Sequence, residues 1–116
     1  MGHSYTNLLY HVVFATKGRR KLSRRDLPDV WQVKRIHRGA YPTQKPVSLF
    51  TKMLEGSATP GMVVCDPFVG SGSAAVAALT AGCTFIGADV SEAAVALATQ
   101  RCATFVETGA DSLEKR

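Results

Sequence analysis

Apolar and polar positions divide the chain into segments of different period. Residues 8–15 form a short apolar run bounded by Asn7 and by Lys17-Gly18, which predicts a strand. Residues 16–42 are basic and irregular, with a short strand expected at 30–36. From 46 to 56 the apolar positions repeat at helical spacing. Val47, Phe50, Met53 and Leu54 share one face there, and Gly56 fits a stop. Met62-Val63-Val64-Cys65 predicts a strand over 62–66, and an alanine-rich helix follows over 72–81, ended by Gly82. A second strand is expected at 84–89. A helix over 91–101 then points Ala94, Val95, Leu97 and Ala98 inward. A short strand is expected at 102–106, and the polar residues 107–116 are expected to fray.

The order of strand, tight turn and helix centres on Asp66-Pro67-Phe68-Val69-Gly70-Ser71-Gly72. A carboxylate at a strand tip, followed by two glycines, lets backbone amides approach a small polar ligand closely. The glycines fit the dinucleotide pattern, since Gly70-Ser71-Gly72-Ser73-Ala74-Ala75 is G-x-G-x-x-A with Asp89 beyond it. A dinucleotide would set a doubly charged pyrophosphate beside Asp66, and the two would repel. S-adenosylmethionine presents an ammonium and a sulfonium with a single carboxylate, so an aspartate at the strand tip favours it. A phosphate-cradling P-loop is excluded, because no Gly-Lys-Ser/Thr follows.

The second strand ends in Asp89, and Ser91-Glu92 opens the next helix. Ser91 suits an N-cap, and Glu92 lies where the helix dipole favours an anion. A carboxylate in Asp89's position accepts hydrogen bonds from ribose hydroxyls in such units. The same residue also suits a plain capping aspartate, and Asp66 a plain turn-former before Pro67.

Three ordered stretches carry a family resemblance. They are Tyr41-Pro42-Thr43-Gln44-Lys45-Pro46-Val47-Ser48-Leu49-Phe50, the run from Pro60 to Ser73, and Phe85-Ile86-Gly87-Ala88-Asp89-Val90-Ser91. Together they resemble the DNA methyltransferases that modify adenine N6 or cytosine N4, in the permuted branch, over about residues 26–103. The resemblance implies an α/β, Rossmann-like methyltransferase fold with an incomplete sheet, and S-adenosylmethionine as cofactor. It implies that Asp66, Phe68, Gly70, Ser71 and Gly72 wrap the methionine part and that Asp89 binds the ribose. Thr43 and Lys45 would close over the amino-acid end, where a lysine offsets the cofactor carboxylate.

The departure from the family is as informative. Its catalytic loop is Asp/Asn/Ser-Pro-Pro-aromatic, which holds a base extruded from the duplex. This chain contains no Pro-Pro pair, so the catalytic residue is unknown. Upstream stands Ser4-Tyr5-Thr6-Asn7-Leu8-Leu9-Tyr10-His11-Val12-Val13-Phe14-Ala15-Thr16-Lys17-Gly18-Arg19-Arg20, which resembles the opening strand of small tyrosine transposases of the insertion-sequence kind. The expected organisation is a basic, transposase-like segment at 1–25, a cofactor-binding part at 26–106 and a polar tail at 107–116.

Charge separates the two halves. Residues 1–59 hold eleven Lys/Arg against three Asp/Glu, net +8, while residues 60–116 hold three against six, net −3. Lys17, Arg19, Arg20, Lys21, Arg24 and Arg25 are the expected DNA contacts, giving salt-dependent binding to phosphates. Cys65, Cys83 and Cys102 form no Cys-x-x-Cys pair, which argues against a metal site and for a reducing, cytoplasmic setting. No apolar stretch is long enough to span a membrane.

At 116 residues the chain has few strands for an α/β sheet. A bare sheet edge would invite a homo-oligomer or a partner chain carrying the missing half. The leading expectation is a cofactor-binding methyltransferase fragment, inactive alone. The rivals are one subunit of a split methyltransferase, a non-enzymatic basic DNA-binding protein and a dinucleotide-binding module.

Overall fold

Two parallel strands and three helices build the described part of the molecule. The structure, a computed structural model, describes residue 26, residues 30–36, residue 39 and residues 41–114. The elements are α1 (Val47–Ser57), β1 (Val63–Asp66), α2 (Ser73–Thr80), β2 (Thr84–Gly87) and α3 (Glu92–Thr108). β1 and β2 pair in parallel, with Val63 opposite Thr84 and Asp66 opposite Gly87. The crossover between them is α2, so β1, α2 and β2 form one βαβ unit.

The core is α2. Ser73 to Ala78 are all buried, and Ala75, Val76 and Ala78 are almost fully enclosed. A helix apolar on every side belongs in an interior. Its small side chains let α1, α3 and β2 all pack against it. Gly82, at φ 71°, ends it, donating from its amide to the Leu79 carbonyl while Cys83 donates to the Ala78 carbonyl. These are the two bonds of a Schellman stop.

Alternation along a strand sends neighbours to opposite sheet faces. Val64 and Phe85 are half-buried on one face. Val63, Cys65, Thr84 and Ile86 lie exposed on the other, with Val63 at 62% and Ile86 at 58%. The helices of the described residues therefore cover one side of the sheet only.

Several expectations change. The expected strand at 102–106 is the last part of α3, which runs unbroken to Thr108 and stops at Gly109 with φ 70°. Residues 30–36 form no strand, and none of the described residues pairs with them. Gly56 does not stop α1; it lies inside the helix as its buried residue. Val95 is exposed, while Ala94 and Ala98 face the core and Leu97 is half-buried. The tail is not frayed through residue 114, since Asp111 and Glu114 are held by Arg101. The expected strand at 8–15 lies outside the described residues.

Candidate cofactor site

The site forms where β1 ends. Asp66 closes the strand, and its Oδ1 accepts the Phe68 amide at 2.9 Å, folding the chain back at Pro67. The Asp66 carbonyl accepts the Ala88 amide at 3.0 Å, and Val69 donates to the Ala88 carbonyl at 2.9 Å. These bonds join the turn to the chain leaving β2. Gly70 and Gly72 then take φ of 51° and 87°, a region that other residues enter at a cost.

Each glycine has its own reason. A Cβ on Gly72 would stand 3.0 Å from the Ala98 Cβ and 3.1 Å from its Cα, so the bare backbone is what lets α3 approach. A Cβ on Gly70 would meet the Tyr41 ring at 3.8 Å. Tyr41 opens the Tyr-Pro-Thr-Gln-Lys-Pro stretch, so that stretch lies against the turn at this point. Beyond Tyr41, Gln44 is buried, while Thr43 and Lys45 on either side of it are exposed.

Asp89 is the clamp between the loops. Its Oδ2 accepts the Gly70 amide and its Oδ1 the Ser91 amide, each at 2.9 Å. The amides of Ser91 and Gly70 hold its carboxyl below the ordinary aspartate value, against a smaller opposing effect of burial. Ser91 caps α3 as the sequence predicts, its Oγ accepting the Ala94 amide at 3.2 Å. Phe68 stands 70% exposed at the rim, and Ser71 is buried beneath.

Sequence reasoning missed Arg101. It lies 1% exposed on α3, and its Nη1 donates to the Ser71 carbonyl at 3.1 Å and to the Ser73 hydroxyl at 3.0 Å. Nε and Nη2 form a fork with Asp111, at 2.7 and 2.5 Å. One sequence signal could have found it: Arg101 is the only Lys or Arg between Lys52 and Lys115. The six basic residues expected to touch DNA, Lys17 to Arg25, all lie outside the described residues.

The sequence pattern of the DNA methylase family of N6/N4 type matches residues 5–100. The chain belongs to this family. Among curated methylases, YubD of Escherichia coli is 42% identical over 76 residues, covering 66% of this chain and 34% of YubD. The type II methyltransferase M.HpaI of Haemophilus parainfluenzae is 32% identical over 93 residues, covering 76% of this chain and 29% of its own. The chain thus spans about a third of the length of these methylases.

Solved methylases share the fold. The M1.HpyAVI–SAM complex superposes on 70% of this chain and 42% of its own, with a TM-score of 0.57 and 25% identity. TTHA0409 of Thermus thermophilus, complexed with S-adenosyl-L-methionine, superposes on 55% of this chain and 26% of its own. Its TM-score is 0.52 and its identity 30%. The architecture of this chain is accordingly a part of the Rossmann-like methyltransferase fold. No helix among the described residues is long and apolar enough to cross a membrane.

Proposed function

We propose that this chain is the cofactor-binding part of an amino-methylating DNA methyltransferase and holds S-adenosylmethionine at the turn between β1 and α2. The observation that carries this reading is the bond from the Gly70 amide to Asp89, which joins the glycine turn and the second-strand acid in one site. Asp66 supplies negative charge for the cationic end of the ligand. Asp89, ionised at neutral pH, has lone pairs beyond those engaged by its two amides and can accept ribose hydroxyls. Thr43 and Lys45, exposed beyond Tyr41, suit the ligand's carboxylate end. When bound, the cofactor supplies an activated methyl group for an exocyclic base nitrogen. The residues of this chain bind and orient it.

The base-holding loop with its Pro-Pro pair is absent from these 116 residues, so we assign it to further polypeptide. The exposed sheet face at Val63, Cys65 and Ile86 supports that assignment, because it is the surface a larger sheet-and-helix assembly covers. Lys17, Arg19, Arg20, Lys21, Arg24 and Arg25 form the DNA-contacting segment. We also assign residues 1–25 a separate, transposase-like origin, although the methylase pattern overlaps them from residue 5. An uninterrupted methyltransferase reading frame at the native locus overturns that assignment.

Titration calorimetry tests the cofactor reading with S-adenosylmethionine, S-adenosylhomocysteine and a nicotinamide dinucleotide. The two sulfur compounds should bind and the dinucleotide should not. Asp66→Ala should weaken S-adenosylmethionine by about tenfold, the worth of a hydrogen bond to a charged group. Binding of the dinucleotide alone would refute the assignment.

A further inference from the structure

Arg101 is hard to explain as a stabilising residue. A buried guanidinium carries a desolvation penalty, and replacing such a group with apolar side chains is often neutral or favourable. Its partners suggest another reason for its presence. Toward the turn, Nη1 holds the carbonyl of Ser71, the residue between the two left-handed glycines, and the hydroxyl of Ser73 at the start of α2. Away from the turn, Nε and Nη2 engage Asp111, and Nη2 lies 3.9 Å from Glu114 Oε2. That same Glu114 oxygen accepts the Val47 amide at 2.9 Å.

Val47 opens α1, and Pro46 before it offers no side-chain cap. Helix N-termini leave donors without partners, and an acid from elsewhere can satisfy them. Here the acid comes from a segment 67 residues away in sequence. Val47 also lies two residues beyond Lys45, the last residue of the Thr43–Lys45 stretch. A continuous polar chain therefore runs from the Ser71 carbonyl through Arg101 and Glu114 to the start of α1. It passes behind the site, while Asp89 holds the Gly70 amide on the other side.

We propose that Arg101 is a positioning residue for the cofactor turn, and that Glu114 links it to the Thr43–Val47 segment so that both cofactor-facing segments are set by one cation. The inference rests on the cofactor reading above and deepens it. Arg101, 1% exposed, is closed off from the surface that a ligand would touch. It fixes the direction of the Ser71–Gly72 peptide, whose amide closes the turn onto the Val69 carbonyl. The tail residues Asp111 and Glu114 become part of the site's support.

The test measures two quantities on the full chain, both at a temperature where every variant is folded. One is S-adenosylhomocysteine affinity by calorimetry. The other is amide exchange at residues 69–73 and 44–49. Arg101→Met should weaken affinity by about tenfold, from the lost charged hydrogen bonds. Arg101→Lys, which keeps the charge but cannot bridge Ser71 and Asp111 together, should fall between it and wild type. Glu114→Gln leaves the Asp111 fork intact and should weaken affinity by about threefold, the scale of a part-exposed ion pair at 3.9 Å. It carries the test if Arg101→Met does not fold.

In all three variants exchange should rise in both segments together. Wild-type affinity and exchange in Glu114→Gln and Arg101→Lys would overturn the inference while leaving the cofactor reading intact. A wild-type chain that takes up no S-adenosylhomocysteine would overturn both.

Discussion

The two segments assigned to the cofactor are held in different ways. The glycine turn from Asp66 to Gly72 is fixed on every side: Asp66 and Ala88 bind its start, Asp89 its Gly70 amide, Arg101 its Ser71 carbonyl, and α3 packs directly on Gly72. The stretch from Tyr41 to Pro46 has one ring against the turn and is tied at its far end through Val47. The first is a rigid seat built by the core. The second is a flap that rests on the Tyr41 ring, the buried Gln44 side chain and the Val47 amide bond. Ligand sites often divide in this way, with a preorganised half and a half that adjusts.

Substitutions should separate the two. Gly72→Ala should have the largest effect on stability, about 3 kcal/mol, because it combines left-handed strain with a Cβ driven into Ala98. Urea unfolding measures it, and a loss under about 1 kcal/mol would mean that α3 can move away cheaply.

Asp111→Asn should follow at about 2 kcal/mol, since it leaves a buried guanidinium with a neutral partner. This effect depends on pH. Burial pushes the Asp111 carboxyl upward, but the hydrogen bonds and charge of Arg101, with the Leu113 and Glu114 amides, outweigh burial and hold it below the ordinary aspartate value. A depressed carboxyl contributes stability that is complete above its unfolded value and is lost as pH falls through the folded one. The gap between wild type and Asp111→Asn should therefore be full near about pH 7 and shrink toward about pH 3.

Gly70→Ala should cost about 1 kcal/mol, strain alone, since the nearest atom to its Cβ is at an ordinary contact distance. Thr43→Ala, on the flap, should shift stability by no more than about 0.5 kcal/mol. A Thr43→Ala loss matching that of Gly72→Ala would erase the contrast between seat and flap.

Local signals made much of this legible. The strand-turn-helix order, the Gly82 stop and the Ser91 cap each depend on residues within a few positions of one another, and each stands where the sequence puts it. Non-local features did not show. Cys102-Ala103-Thr104-Phe105-Val106 reads as a strand by its β-branched and aromatic residues, yet it continues α3, where Arg101 and Phe105 are held from outside the helix and at its end. Residues 30–36 hold four apolar residues, Val30, Trp31, Val33 and Ile36, but a strand exists only with a partner beside it, and none of the described residues pairs with them. The isolation of Arg101 among uncharged and acidic residues singles it out, but its role did not show because its partners lie 10 residues away at Asp111 and 30 away at Ser71.

The uncovered sheet face also supplies a practical handle. Cys65 is exposed on it, whereas Cys83 is buried and Cys102 only half-exposed. A thiol-reactive fluorophore would attach first at Cys65, one residue from Asp66 yet on the opposite side of the strand from it. Quenching or protection of that dye would announce the arrival of whatever polypeptide shields the sheet, without occupying the pocket itself.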